Sequence, residues 1–362
     1  MAWSLQQEAA LRAVRQWQSD PSAPQVFRLF GFAGTGKTTL AKTIAGDTPG
    51  QVEFGAFTGK AASVLRQKGC EGARTLHSLI YKLHDDIEGE PVFGLDHASE
   101  LAGAALLILD ECSMVGADLG RDVLSFGVRV LVLGDPGQLP PIEGVGFFDG
   151  EPDVMLTEVH RQAAESPIIV MATKVREGGR LVPGRYGDCE VVAPGVTLDA
   201  DRVLASDQML VGRNATRRSY NRRTRELRGF TGAAPVAGEK LVCLKNNRTK
   251  GLLNGGLWAV DKVLGHTGKG ITLRVTPEGE GSAVKVRVPM PFFLGTEDTM
   301  DWKAKKHADQ FGFGYALTVH KSQGSQWDDV VLFDESSYFR EHRARHLYTG
   351  LTRAAQKITV VQ

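Results

Sequence analysis

The stretch Gly31-Phe32-Ala33-Gly34-Thr35-Gly36-Lys37-Thr38 places two glycines, a lysine and a hydroxyl in the spacing G-x-x-x-x-G-K-[ST]. That spacing suits a loop whose backbone N–H groups, with the N-terminus of the helix that follows, cradle the phosphates of a nucleoside triphosphate such as ATP. Gly34, Thr35 and Gly36 form the cradle, Lys37 reaches the β- and γ-phosphates, Thr38 turns its hydroxyl to Mg²⁺, and Thr39 opens the helix. Further along, the apolar run Leu106-Leu107-Ile108-Leu109 delivers Asp110 and Glu111 at its carboxyl end. Ligands of open α/β sheets bind at such ends. Asp110 is therefore placed to hold the metal, and Glu111 to polarise an attacking water. A capping Asp-Glu pair at a helix start is the plainer reading of that dipeptide.

These groups need a scaffold of parallel strands. Apolar runs of strand length recur at Val26 to Phe30, Val52 to Phe57, Leu106 to Leu109 and Val128 to Leu133, with helical stretches between them. A second series follows at Gln208 to Val211, Tyr315 to Val319, Val330 to Phe333 and Ile358 to Val361. The alternation predicts two α/β domains. Between them, Glu239 to Leu244, Leu257 to Val263, Gly270 to Thr276 and Ala283 to Val288 read as short strands parted by glycine-rich turns, which predicts a small β-barrel inserted in the second domain.

Composition limits the alternatives. The chain has 362 residues, long for one core, and its 43 basic and 42 acidic residues leave a net charge of +1. Any nucleic-acid surface must then be a local patch. Cys70, Cys112, Cys189 and Cys243 are scattered without metal-ligand spacing, the pattern of a reduced cytoplasmic protein without structural zinc. The apolar stretches, Leu101 to Leu109 among the longest, are of strand rather than bilayer length, and no membrane association is expected.

The loop Gly134-Asp135-Pro136-Gly137-Gln138-Leu139-Pro140-Pro141 follows a predicted core strand and carries a glutamine able to sense a γ-phosphate. The order of phosphate loop, Asp110-Glu111-Cys112-Ser113-Met114 and this loop resembles the superfamily 1 helicases, within them the RecD and Dda branch. The resemblance spans nearly the whole chain. It implies two RecA-like P-loop NTPase domains, residues 1–160 and then 161–235 with 311–362, an SH3-like barrel at 236–310, and a short hairpin insertion at about 82–100. It also implies that Gln7, in Trp3-Ser4-Leu5-Gln6-Gln7, reads adenine, and that Gly324 lies in a nucleotide-contacting motif. Gln138, Arg161 of Val159-His160-Arg161-Gln162 and Arg353 of Leu351-Thr352-Arg353-Ala354 would sense and stabilise the γ-phosphate. Guanidinium groups presented across a cleft stabilise the spreading negative charge only when the cleft is closed.

On the nucleic-acid side, the resemblance implies strand contacts by Thr58, Lys60 and His77 in the first domain and by Thr318, His320 and Lys321 in the second. Phe93, in the expected hairpin, would stack as a wedge on a terminal base pair or pack the hairpin itself. Seven arginines fall between Arg213 and Arg228, with Arg218, Arg222 and Arg225 at helical spacing. A solvated basic helix is the ordinary meaning of such a run, and Asn214 and Asn221 resemble an asparagine-bearing motif of the family. Gln326 departs from the pattern, standing where related sequences carry glutamate.

The implied activity is that of an ATP- and Mg²⁺-dependent DNA helicase. It would move 5′-to-3′ on single-stranded DNA, unwind duplex junctions as a monomer, and work beside a single-strand-binding, replication or recombination protein. The alternative is an ATP-driven translocase that remodels without separating strands. The stretch reads as a bare motor, without nuclease or docking domains.

Overall fold

The computed structural model describes residues 3–85, 91–140, 146–247, 250–252, 254–278 and 282–362, the side chains of 83–85, 91–93 and 161–162 excepted. Its first half is a six-stranded parallel sheet. In spatial order the strands are Arg74–Thr75, Val52–Ala56, Leu106–Asp110, Arg129–Gly134, Val26–Gly31 and Val154–Leu156. Leu106 to Leu109 are all buried, as a strand covered on both faces requires. One face packs on Ala10, Leu11, Leu40 and Ile44 and the other on Leu76, Leu101, Leu119 and Phe148.

The first helix, Leu5–Ser19, is fixed at its start by a reciprocal capping box between Ser4 and Gln7. The helix Lys37–Asp47 begins at Gly36, whose φ of 84° is left-handed. A Cβ there would also lie 2.7 Å from the Gln7 amide, so sterics and backbone both demand glycine.

The second sheet runs Ala316–Thr318, Gln208–Val211, Trp327–Phe333, Ala354–Val361, Cys189–Val192 and Gly184–Tyr186, parallel but for the antiparallel edge strand Gly184–Tyr186. Its core takes in Leu139 from the first half, so the two halves share apolar packing.

A third, antiparallel sheet with its own core is ordered Val284–Pro289, Gly270–Pro277, Leu257–Thr267, Lys240–Cys243 and Phe311–Phe313. Its closing strand extends past residue 310, the boundary expected from sequence, because Phe311 to Phe313 pair with Leu241 to Cys243. Tyr81–Asp85 and Pro91–Leu95 pair antiparallel, Leu83 opposite Phe93. Residues 86–90 between them lie outside the described residues. No described helix is long and apolar enough to cross a membrane.

The arginine-rich segment forms the helix Asn214–Leu227, but it is not a uniformly solvated face. Arg222 and Arg223 are exposed, whereas Arg217 and Arg225 are buried. Arg225 makes a two-pronged pair with Glu239 at 2.7 and 2.9 Å, bridging this helix to the segment entering the third sheet. Asn221 holds Ala316 through both its amide atoms at 3.0 Å, so the motif asparagine splices helix to strand.

Candidate functional site

The carboxyl ends of the first sheet open into a cleft of about 420 Å³ that the second half closes. From the first half it is lined by Gln7, Gly34, Thr35, Gly36, Lys37, Thr38, Thr39, Asp110, Glu111 and Gln138, and from the second by Gly324 and Arg353. These residues, widely separated in sequence, thus converge on one space.

Within the loop, Lys37 Nζ donates to the carbonyls of Gly31 and Phe32 at 2.5 and 3.0 Å. Gln7 is buried and donates to Thr35 O at 3.1 Å while its oxygen accepts the Ser4 N–H, so its amide braces the loop against the first helix. Asp110 Oδ1 accepts the Glu111 N–H at 2.9 Å. Burial and then the neighbouring Glu111 charge push the Asp110 carboxyl up to about 6. Glu111 itself has a left-handed backbone, φ 54° and ψ 49°, unusual for a side chain of its size. Gln138 lines the cleft, and its Oε1 is buried with no partner among the described residues.

The two halves meet through specific bonds. Arg353 is buried, its Nη1 3.7 Å from Glu111 Oε1, and it is aimed by donating to Thr349 O and Ser325 O. Tyr348 binds both Ala33 and Asp135. Leu139 N–H donates to Thr349 Oγ1 at 2.9 Å, and Gln323 donates to Leu139 O at 2.6 Å. The Arg176 guanidinium stacks 3.7 Å from the Phe32 ring centroid. Trp3, His160 and Gln326 also line the cleft. Tyr348 and Arg176 were not singled out from sequence, since nothing in a tyrosine or a helical arginine announces a partner in another domain. The Arg161 side chain lies outside the described residues; its backbone begins the helix Arg161–Ala164 beside the cleft-lining His160 and Ala163.

The expected strand contacts divide. Thr58 and Lys60 line a separate groove of about 490 Å³ that runs between the first half and the third sheet, with Arg66, Thr75, Lys250 and Trp258. Thr58 caps the helix Gly59–Gln67 and reaches Gly324 O at 3.4 Å. His77 sits instead among Phe57 and Tyr81, at ring distances of 6.2 and 5.7 Å. Thr318 is buried and accepts the Lys321 N–H, and His320 packs against the stacked pair of Phe339 and His346. Lys321 Nζ reaches Asn254 Oδ1 at 3.1 Å. The Phe93 side chain lies outside the described residues.

The parallel sheets, the phosphate-type loop and the arginine presented across the cleft define a P-loop fold of two RecA-like domains. A family model described as an AAA domain matches residues 4–189, and one described as a UvrD-like helicase C-terminal domain matches residues 313–361. The chain belongs to the AAA-domain family of that first model, and its curated relatives set it beside the RecD and Dda helicases of superfamily 1. It is 30% identical over 360 residues to the ATP-dependent RecD2 DNA helicase of Deinococcus radiodurans, across 91% of this chain and 46% of that one. To the ATP-dependent DNA helicase dda of Enterobacteria phage T4 it is 34% identical over 166 residues, 41% of this chain and 37% of the relative. The chain spans less than half the length of these relatives. Its fold is similar to that of Bacteroides Pif1 bound to ssDNA, with TM-score 0.54 and 18% identity over 99% of this chain and 92% of that one. Pif1 helicase from Candida albicans is similar at TM-score 0.52 and 18% identity, over 100% and 94%.

Proposed function

We propose that the protein is an ATP-dependent DNA helicase that translocates on single-stranded DNA 5′-to-3′ and separates duplex strands. The observation that carries the reading is the placement of Arg353 from one RecA-like half beside Glu111 of the other, across a cleft floored by the phosphate loop. In this reading Lys37 leaves the loop carbonyls for the β- and γ-phosphates. Gly34, Thr35, Gly36 and Thr39 offer backbone N–H groups, and Gln7 and Gly324 border the nucleoside. Glu111 takes the proton of the attacking water, while Gln138, Arg161 and Arg353 stabilise charge on the departing phosphoryl oxygens.

The donor set fits Mg²⁺. Among the described residues no cluster of three or more ionisable ligands could hold an ion alone, and Mg²⁺ is ordinarily bound by one or two protein oxygens together with substrate phosphates. Thr38 and Asp110 would supply those oxygens, and the ion would neutralise phosphate charge. An Asp110 carboxyl raised by burial favours a cationic neighbour.

Closing the cleft brings Arg353 onto the phosphate and shifts one half along the strand; reopening resets it. Thr58, Lys60 and His77, with Thr318, His320 and Lys321, are the strand contacts of the two halves, and Phe93 is the contact at the duplex end. We read residues 1–160 and 161–235 with the chain after Phe313 as the two motor domains, and the third sheet, from 236 through Phe313, as an SH3-like insertion. The hairpin of Tyr81–Asp85 and Pro91–Leu95 is read as the wedge. One chain holds a whole cleft, which supports action as a monomer on single strands and junctions, and the four free cysteines support a reducing compartment such as the cytoplasm.

The test is ATP hydrolysis with and without single-stranded DNA, beside unwinding of duplexes bearing a 5′ or a 3′ tail. Stimulated hydrolysis with unwinding from the 5′ tail alone is expected. Stimulation with unwinding from neither tail makes the protein a translocase, and a folded Lys37→Ala variant with full turnover removes the cleft assignment.

A further inference from the structure

Gln7 is 3% exposed, and both ends of its side-chain amide are already engaged by backbone. Its Oε1 accepts the Ser4 N–H at 3.1 Å, completing the capping box of the first helix, and its Nε2 donates to Thr35 O at 3.1 Å inside the phosphate loop. The same nitrogen is pressed on Gly36, where an added Cβ would lie 2.7 Å from it. An amide has two donor hydrogens and two lone pairs, but at this burial the second of each has almost no open surface on which to meet a base edge. Turning the amide towards a base would leave the Ser4 N–H or the Thr35 carbonyl unpaired, and an unpaired buried polar group is costly.

The chain entering that helix brings another side chain to the same cleft. Trp3 lines it beside Gln7, half-buried and packed in part against the core that holds Ala10, Leu11 and Leu40. Phe32 also lines the cleft, but its ring is covered by the Arg176 guanidinium, 3.7 Å from the centroid. Among the described residues the Trp3 indole has no such ring or guanidinium partner. A base stacks on an aromatic ring through its π-face, and every base has one, so that grip is indifferent to which base is presented. Strong discrimination needs buried hydrogen bonds to the base edge, which a mismatched base leaves unmade.

We infer that Trp3 holds the nucleobase by stacking and that Gln7 is a positioning residue for the phosphate loop, so that ATP, GTP, CTP and UTP are hydrolysed with similar efficiency. The inference rests on the helicase reading and sets the breadth of its nucleotide substrates. The competing account is the one the resemblance implies, in which Gln7 reads adenine and Trp3 belongs to the core alone.

Wild-type protein already separates the two accounts. Phosphate release is measured for each of the four triphosphates with Mg²⁺ and oligo(dT), and the kcat/KM values are compared. Stacking without edge recognition keeps the four within about fivefold of one another. Trp3→Ala then raises KM about tenfold for every nucleotide, the loss of one base–aromatic stack, while inhibition by inorganic tripolyphosphate, which has no base, stays unchanged. Trp3→Phe restores most of the affinity, and Gln7→Leu lowers kcat for all four alike. A larger preference for ATP in the wild type, or a Trp3→Ala variant that loses tripolyphosphate and nucleotide affinity together, overturns the inference. Wild-type protein that hydrolyses none of the four faster with oligo(dT) overturns instead the helicase reading.

Discussion

The Tyr348 hydroxyl accepts the N–H of Ala33, at 2.8 Å, from across the interdomain cleft. It donates in turn to Asp135 Oδ2 at 2.7 Å, and Asp135 Oδ1 receives the Gly137 N–H one residue before Gln138. One buried oxygen thus ties the phosphate loop and the Gln138 loop to the helix Arg343–Leu351, which ends two residues before Arg353. Tyr348→Phe strands two polar groups, each costing about 1–3 kcal/mol. We expect stability to fall by roughly 2 kcal/mol and DNA-stimulated hydrolysis by about tenfold, with nucleotide affinity nearly unchanged. Urea unfolding, steady-state turnover and titration of a fluorescent nucleotide check the three parts.

Arg353 presents its guanidinium to Glu111 while its Nε and Nη1 are aimed by backbone carbonyls. Removing one preorganised group that stabilises transition-state charge typically costs about 10²–10³ in rate. Arg353→Ala should lose that much in single-turnover hydrolysis and keep ADP binding within a few-fold. A loss of binding as large as the loss of rate would make the arginine a ground-state contact.

Glu239 is fully buried and receives Arg225 twice and the Val236 N–H once. Deleting one member of such a pair leaves the other charge buried alone, so Glu239→Ala should destabilise by about 3–5 kcal/mol. Glu239→Ala combined with Arg225→Met should recover part of that. Chemical unfolding of the three variants gives the comparison, and a double variant as unstable as the single one would deny the coupling.

His346 is 1% exposed, stacked on Phe339 with ring centroids 4.0 Å apart, and burial pushes its imidazole down to about 3, with His320 repelling the charge further. The unfolded chain takes up this proton below about pH 6.5 while the folded chain refuses it until about pH 3. Stability from this group is complete above the unfolded value and is lost as the pH falls through that window, about 1.4 kcal/mol per pH unit. Between pH 7.5 and 5.0 it amounts to about 2 kcal/mol. Wild-type protein should lose that much more than His346→Gln in paired unfolding curves at the two pH values.

Much of the first half was legible because its signals are local. The phosphate loop, the strand before it and Asp110-Glu111 each declare themselves within a few residues, and parallel pairing brings them to one sheet end. Thr58, expected from sequence as a strand contact, also proves to be the side-chain cap of the helix that follows it. Arg217 and Arg225 were not legible, because helical spacing gives a residue's face but not whether another domain covers that face. Tyr348 is the same case across a longer separation. The third sheet runs three residues past the expected 310 because Phe311-Gly312-Phe313 is too short and glycine-rich to declare a strand by itself; only pairing with Leu241 to Cys243 makes it one.

The strand Ala354–Val361 lies between Trp327–Phe333 and Cys189–Val192 in the second sheet. A ribosome makes Cys189–Val192 early, yet its parallel neighbour arrives about 160 residues later, a wait of roughly ten to thirty seconds at ordinary synthesis rates. Every strand of the first sheet has emerged long before then. The nascent chain therefore passes through a period in which its phosphate loop can already be formed while Arg353, the residue proposed to act on the bound nucleotide, does not yet exist.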